Sequence, residues 1–352
     1  MKLLSGVVVY LLLLSTCFAQ TVFSTKRCGA LAVPRERHGS FFYKGRLYVM
    51  GGKTPAEWTN TVESAPVDAN GALGAWRNET PLPDRRSYLN DTVQVVGNCV
   101  YLIGGNVSDK PDPQTKIPML HKATQAIWTK ILPDGTLAPW NKGPGFPKEA
   151  NALVCLATIA DDRHLLITGG SHEKGLVTQA FICDLAADGS PGEWRVLGPL
   201  PAPLWYNGAA LIGGRIYLYG GLNKKARSSI NASVYSAAFD GNTLSEWRKE
   251  PNDMPSPVYS SVFCSTLNCL LAIGGRYAND YGTTAIWYAT VVDGAVQKWQ
   301  MVNSDLPANV YVTGAVDNRT GRCFISGGQF QTVPKDNAPA QDIVSAFVLP
   351  GQ

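Results

Sequence analysis

The chain has 352 residues, a formal net charge of +4 and 16 % charged residues, a balance too mild for a nucleic-acid footprint. With 35 glycines, 23 prolines and 10 % aromatics it reads as a loop-rich, all-β protein. The length suits one large domain or two small ones.

The first element is MKLLSGVVVYLLLLSTCFA, residues 1–19. Lys2 gives a basic start, Val7 to Leu14 an apolar stretch, and Cys17 and Ala19 small residues at signal-peptidase offsets. A cleaved secretory signal is predicted, with the mature chain starting at Gln20 and destined for secretion or the periplasm. The stretch is short for a membrane span, and no other apolar run is long enough to be one. Export would let disulfides persist. Seven cysteines then remain: Cys28, Cys99, Cys155, Cys183, Cys264, Cys269 and Cys323. An odd number leaves at least one unpaired. No CxxC occurs, which disfavours a zinc ribbon or a thioredoxin-type site. In FCSTLNCLL, Cys264 and Cys269 lie between two strand-like runs, so a hairpin would bring them face to face. Sequons at Asn78, Asn90, Asn106, Asn231 and Asn318 would be surface glycan sites in a secreted eukaryotic protein.

A repeat runs through the rest of the chain. RLYVMGG, CVYLIGG, HLLITGG, RIYLYGG, LLAIGG and CFISGG end in doublets at Gly51-Gly52, Gly104-Gly105, Gly169-Gly170, Gly220-Gly221, Gly274-Gly275 and Gly327-Gly328. The intervals are 53, 65, 51, 54 and 53 residues. Each apolar run follows a tight turn and an earlier β-rich run, which together form a hairpin. After the doublet come a variable loop and a third run, which ends at Asn70-Gly71, Asp134-Gly135, Asp188-Gly189, Asp240-Gly241 or Asp293-Gly294. Trp76, Trp140, Trp194, Trp247 and Trp299 follow, each trailed by a proline. The unit is four short antiparallel strands, and at about 50 residues it reads as a propeller blade. The glycines are then structural, letting the backbone bend and pack close to the next blade.

The order apolar run, Gly-Gly, aromatic, Trp resembles the kelch repeat over nearly the whole mature chain. That resemblance implies an all-β fold, a six-bladed kelch-type β-propeller within 20–352. Blades are expected at about 38–86, 87–150, 151–204, 205–258, 259–310 and 311–352. The last of these ends after its third strand, VSAFVLPGQ, so residues 20–37 should supply the missing strand and close the ring. Closure would place Cys28 in the blade of Cys323, where a disulfide would lock the ring across a very long loop. Cys155 with Cys183 is a second pairing to test, with Cys99 left over.

Strand alternation puts the loops after the doublets on one face with the connections that follow the prolines. This face carries the length variation, in NVSDKPDPQTKIPMLHKATQAIW and QFQTVPKDNAPAQD. Rigid blades holding variable loops are where propellers commonly put function. Ligand-binding candidates at the channel mouth are His38, Arg86, Asn151, Trp205, Tyr206, Asn207, Tyr259, Arg276 and Tyr311. Aromatic faces stack on sugar rings, and amides and Arg bond hydroxyls and carboxylates. Aromatics that simply plug a narrow channel would have the same composition.

Catalytic motifs are sparse. His38, His121, His164 and His172 carry no HxH or HExxH, and GxSxG, GxGxxG, GxxxxGK[ST] and Asp-box patterns are absent. Galactose oxidase shares a kelch-like propeller but builds its copper site with an additional C-terminal domain. Periplasmic sialic-acid mutarotases are similar in length, signal and blade number, and carry an acidic residue just after a blade glycine with an arginine close behind. Here Lys53, Asn106, Ser171, Leu222, Arg276 and Gln329 follow the doublets, and Glu173 and Arg227 are the nearest approximations. The reading is therefore a monomeric binding propeller for a glycan or a protein, without cofactor or metal. The alternative is a carbohydrate mutarotase or epimerase.

Overall fold

The computed structural model describes residues 24–108, 119–226, 228–266, 268–278, 281–302, 309–330 and 343–348. The signal-like residues 1–19 and Arg227 lie outside these. Every regular element among the described residues is a β-strand, and no helix is long and apolar enough to cross a membrane.

The strands fall into six principal antiparallel sheets. Blade one contains Gly39–Tyr43, Arg46–Met50, Val62–Pro66 and Arg77–Asn78. Blade two contains Val93–Val96, Cys99–Leu102, Gln125–Lys130 and Asn141–Gly145, and blade three Thr158–Ala160, His164–Ile167, Gln179–Leu185 and Pro191–Pro199. Gly208–Ile212, Arg215–Tyr219, Tyr235–Ala238 and Arg248–Lys249 form blade four. Val262–Thr266, Cys269–Ile273, Ile286–Val292 and Gln300–Val302 form blade five. In blade six the order is Thr313–Asp317, Arg322–Ser326, Ile343–Val348 and then Ser24–Ala30, so the N-terminal strand supplies the outer edge. The first strand of each blade packs beside those of its two neighbours, and the sixth returns to the first.

This arrangement explains why the second strands are largely apolar along their length. Successive strand side chains point to opposite faces, and here both faces are covered. Tyr48 and Met50 pack toward blade two while Leu47 and Val49 pack toward blade six. In blade two, Tyr101 and Ile103 face blade three, and Val100 and Leu102 face blade one. The core is thus six apolar slabs, one in each gap between blades. The slab between blades six and one includes Cys28 and Leu31, so the N-terminal segment seals that gap as well as extending the sheet.

The repeat's polar landmarks bind blade to blade. The indole N–H of Trp76, Trp140, Trp247 and Trp299 donates back to Ala30, Thr80, Pro199 and Asn252 carbonyls, at 2.8, 3.2, 2.9 and 3.2 Å. Ala30 ends the closing strand, so it serves blade one as Thr80 serves blade two. In the forward direction, Tyr48, Tyr101 and Tyr217 hydroxyls donate to the carbonyls of Gly135, Gly189 and Gly294 at 2.6, 2.6 and 3.0 Å. The Asp-Gly turns are docking points for the preceding blade. In blade three the tyrosine's strand position is held by Leu166, and His164, two residues earlier, bonds Asp161 at 2.9 Å, a local turn contact on the face opposite the variable loops.

Two cysteine expectations need correction. The hairpin between Thr266 and Cys269 pairs Cys269 with Thr266 and Cys264 with Leu271, so the two cysteines are not opposite one another. Cys28 belongs to a strand separated from that of Cys323 by the whole of Ile343–Val348, and the two pack in different slabs. The sulfur beside Cys323 is that of Cys264, 3.8 Å away. Cys155 and Cys183 are also apart in role: Cys183 donates to the Gly192 carbonyl at 2.9 Å, while Cys155 lies at the channel mouth.

Candidate functional site

The mouth is built by one contact repeated in every blade. The residue after each glycine doublet bridges the residue that leads into the blade: Lys53 with Glu36, Asn106 with Ser87, Ser171 with Val154, Leu222 with Trp205, Arg276 with Tyr259, and Gln329 with Val310. The doublet makes the approach possible. A Cβ on Gly221 would lie 2.7 Å from the Trp205 carbonyl oxygen, and one on Gly52 2.5 Å from that of Glu36. The second glycine's N–H also reaches the next blade. Gly52, Gly105, Gly170, Gly221 and Gly328 donate to the carbonyls of Arg86, Leu153, Leu204, Val258 and Arg35 at 2.7–3.0 Å. The last of these joins blade six to blade one.

Immediately after each bridge stands a non-glycine residue with left-handed backbone: Arg37, Tyr88, Cys155, Tyr206, Ser260 and Tyr311, with φ between 52 and 58°. This conformation costs roughly 1–2 kcal/mol per residue, and strain that recurs at one position marks a site worth testing for function. It turns each chain into its inner strand and brings the six side chains together. Tyr88, Cys155, Tyr206 and Ser260 line one void of about 10 Å³ with Asn90, Asp91, Leu156 and Ser261. Arg37 lies over the Tyr311 ring at 3.8 Å and the Tyr88 ring at 5.0 Å, while Arg276 lies 4.8 Å from the same Tyr311 ring. Trp205 packs on Tyr206 at 4.8 Å, and Trp58 on Tyr88 at 6.5 Å. The mouth is therefore closed by a half-buried aromatic floor carrying two guanidinium groups.

Charged groups of both signs surround the floor. Glu36 is buried and ion-paired with Arg37. Although burial opposes its charge, Arg37 is held above its ordinary pKa by Tyr88, Glu36 and Tyr311. Burial pushes the Tyr88 phenol up and the Tyr206 phenol far up, and raises the Cys155 thiol to about 12. None of these three ionises near neutral pH. Lys53, Lys224 and Lys225 are exposed, Lys53 lying 5.7 Å from the Trp58 ring.

Below the floor is a second space of about 560 Å³, walled by the six inner strands. Asp91 borders both this cavity and the small void above it. Burial pushes its carboxyl well above the usual range even though a hydrogen bond from the Phe263 backbone opposes that shift.

The structure sorts the residues selected from sequence. Tyr206 and Tyr311 belong to the floor, and Trp205, Tyr259 and Arg276 support it. Asn151 is exposed nearby in the chain, also with left-handed backbone. Tyr259 and Arg276 are themselves buried beneath the floor, and three others are interior and take no part in it. His38 is fully buried, with Nε2 2.8 Å from Ser326 Oγ. Arg86 is buried and held by Asp84 at 2.7 Å and the Gly104 carbonyl at 3.3 Å. Asn207 is buried and donates to the Gly208 carbonyl at 3.2 Å. Glu173 is exposed and pairs with Lys122 at 3.4 Å. Among the sequons, Asn78 and Asn318 are exposed and Asn106 half-buried in a strand. Asn231 is corrected: its buried amide donates to the Gly220 and Ser233 carbonyls and serves the fold, not a glycan. Asn90 likewise donates to the Val312 carbonyl across the channel.

Tyr88 and Asp91 were not selected from sequence. The Pro-Arg landmark aligns Arg86 with Arg35, but the bridge is made by Ser87, and four residues, 88–91, separate it from Thr92. The usable signal was the fixed offset from each bridge to the next residue, visible once Asn106 is paired.

Among the described residues no group of three His, Cys, Asp or Glu side chains could hold a metal ion. No protein-family model matches the chain. It is 24 % identical over 375 residues to a kelch-like protein, terF, of Aspergillus terreus, covering 99 % of this chain and 74 % of the relative. A kelch repeat-containing protein of Arabidopsis thaliana is 28 % identical over 49 % of this chain and 41 % of its own length. The N-acetylneuraminate epimerase of Haemophilus influenzae is 27 % identical over 48 % of this chain and 46 % of its own. The matches to the last two thus span under half of those proteins. The solved structure of YjhT superposes with a TM-score of 0.66 at 15 % identity, over 90 % of this chain and 95 % of that one. The chain is a kelch-type β-propeller.

Proposed function

We propose that the chain is a binding module that receives a carboxylate-bearing glycan on the aromatic floor of its loop face. The observation that carries this reading is the half-buried Arg37, 3.8 Å from the Tyr311 ring and 5.0 Å from that of Tyr88, with Tyr206 and Trp205 in the same floor and the buried Arg276 4.8 Å from the Tyr311 ring. Guanidinium groups bond carboxylates bidentately, and exposed ring faces accept sugars. In the same reading the first 19 residues export the chain, and the module works outside the cytoplasm as a monomer.

An enzymatic reading, mutarotase or epimerase, draws support from the Haemophilus relative and from Asp91, a desolvated carboxyl of the kind used as a general acid. The floor separates Asp91 from the loop face, and Glu36 is tied to Arg37, which favours binding over catalysis. A glycan array tests the two together. Saturable binding of carboxylated glycans, with anomeric exchange no faster by NMR, supports the module. Faster exchange that disappears in Asp91→Asn supports the enzyme. Retention of neutral glycans only, or of none, removes the proposed ligand class and turns the search to protein partners.

A further inference from the structure

Cys264 is on the inner strand of blade five and Cys323 on the second strand of blade six, with their sulfurs 3.8 Å apart. They meet across a gap that a glycine keeps open. Gly314, on the inner strand of blade six, would with a Cβ come within 2.3 Å of Val262 Cγ1 and 3.5 Å of the Cys323 sulfur. Blade five therefore presses directly on blade six at this level. The two thiols also differ in access. Cys264 borders the channel cavity of about 560 Å³, whereas Cys323 is 1 % exposed. Tyr219 from blade four donates to the Cys264 carbonyl at 3.0 Å and fixes the strand in place.

We propose that Cys264 and Cys323 are a redox pair, which a low-molecular-weight disulfide entering the cavity from the end opposite the floor, where exposed Asn318 lines it, closes into a bond between blades five and six. A disulfide places its sulfurs about 2.05 Å apart, so closure needs only a small approach of two side chains already in contact. The chemistry is ordinary exchange. The Cys264 thiolate attacks one sulfur of the small disulfide, breaking its S–S bond and releasing one thiolate. The Cys323 thiolate then attacks the Cys264 sulfur, breaking the mixed S–S bond and releasing the second. The two protons lost by the protein thiols end on the two released thiolates. The protein pair is oxidised by two electrons and the small disulfide is reduced by two. The Cys264 thiol is held up by its contact with Cys323 and by burial, with Asp91 adding to both, which slows the first step and keeps the pair as thiols until oxidant is supplied.

The test uses the full chain, incubated with oxidised glutathione, then unfolded in N-ethylmaleimide, digested and mapped by mass spectrometry. The expected result is loss of alkylation at Cys264 and Cys323 together, with their peptides joined and separated again by dithiothreitol. In Cys264→Ser the joined peptide disappears and Cys323 becomes alkylated. Alkylation of both cysteines after oxidant, a lasting glutathione adduct on Cys264, or Cys264 joined to Cys269 would each overturn the proposal. The wild-type map decides the matter alone, so the result does not depend on how well the variant folds.

Discussion

Arg37 of blade one lies 3.8 Å from the ring of Tyr311 in blade six, directly across the closure of the ring. Its backbone N–H also donates to the Tyr311 carbonyl at 3.0 Å. The seam that closes the fold and the floor offered to a ligand therefore share a residue pair. Anything that loosens the seam should be felt at the mouth.

The seam contains a buried ion pair. Arg35, fully buried, bonds Glu63 at 2.5 Å and the Gly51 carbonyl at 3.2 Å. Glu63→Gln leaves a buried guanidinium without its counter-charge and is expected to cost about 3 kcal/mol. Arg35→Met with Glu63→Leu should recover much of that loss, since an apolar pair of similar volume removes both desolvation penalties. Urea denaturation of the single and double variants checks both. A Glu63→Gln midpoint equal to wild type would mean the pair contributes little.

His38 gives the fold a pH dependence. Burial first, and the charge of Arg35 second, hold its pKa well below the ordinary 6.5. The folded state thus keeps His38 neutral while the unfolded chain takes up a proton near 6.5. The stability is fully present above pH 6.5 and falls as the pH drops below it toward the folded-state pKa. One proton corresponds to about 1.4 kcal/mol per pH unit. His38→Gln should flatten the curve of stability against pH between about 6.5 and 5. A variant with the wild-type slope would assign that dependence to other groups.

Gly221 tests the doublet. Its φ is +78°, and a Cβ would meet both the Trp205 carbonyl oxygen and Asn207 at 2.7 Å. Gly221→Ala is expected to destabilise by about 2 kcal/mol or more. Gly175→Ala is the control: its Cβ would meet nothing within 4 Å, and its φ is not positive. It should change the thermal midpoint little. Equal effects would remove the close-approach argument.

The fold was legible because the same physics recurs in each blade. A strand buried on both faces must be apolar throughout, as at Val100 to Ile103, and a close backbone approach must use glycine, as at Gly104 and Gly105. The site was less legible. Tyr88 was missed because the blade-two connection is longer, and a Pro-Arg landmark cannot register such an insertion. His38, Arg86 and Asn207 have the chemistry of ligand contacts, but their burial depends on neighbouring blades that local sequence does not reveal. The cysteines show the same limit. Cys264 and Cys269 looked paired by proximity, but strand register opposes each to a different residue. Cys264 and Cys323 are 59 residues apart, and only the propeller brings them together.

The most direct measurement is calorimetric titration of the wild-type chain and Arg37→Met with a carboxylated glycan retained on the array. Loss of a charge-assisted hydrogen bond is worth about 1.5–3 kcal/mol, so Arg37→Met should weaken binding by about ten- to a hundredfold, while Gly175→Ala binds as wild type. Equal affinity of wild type and Arg37→Met, with both proteins folded, would contradict the assignment of the channel mouth as the binding site.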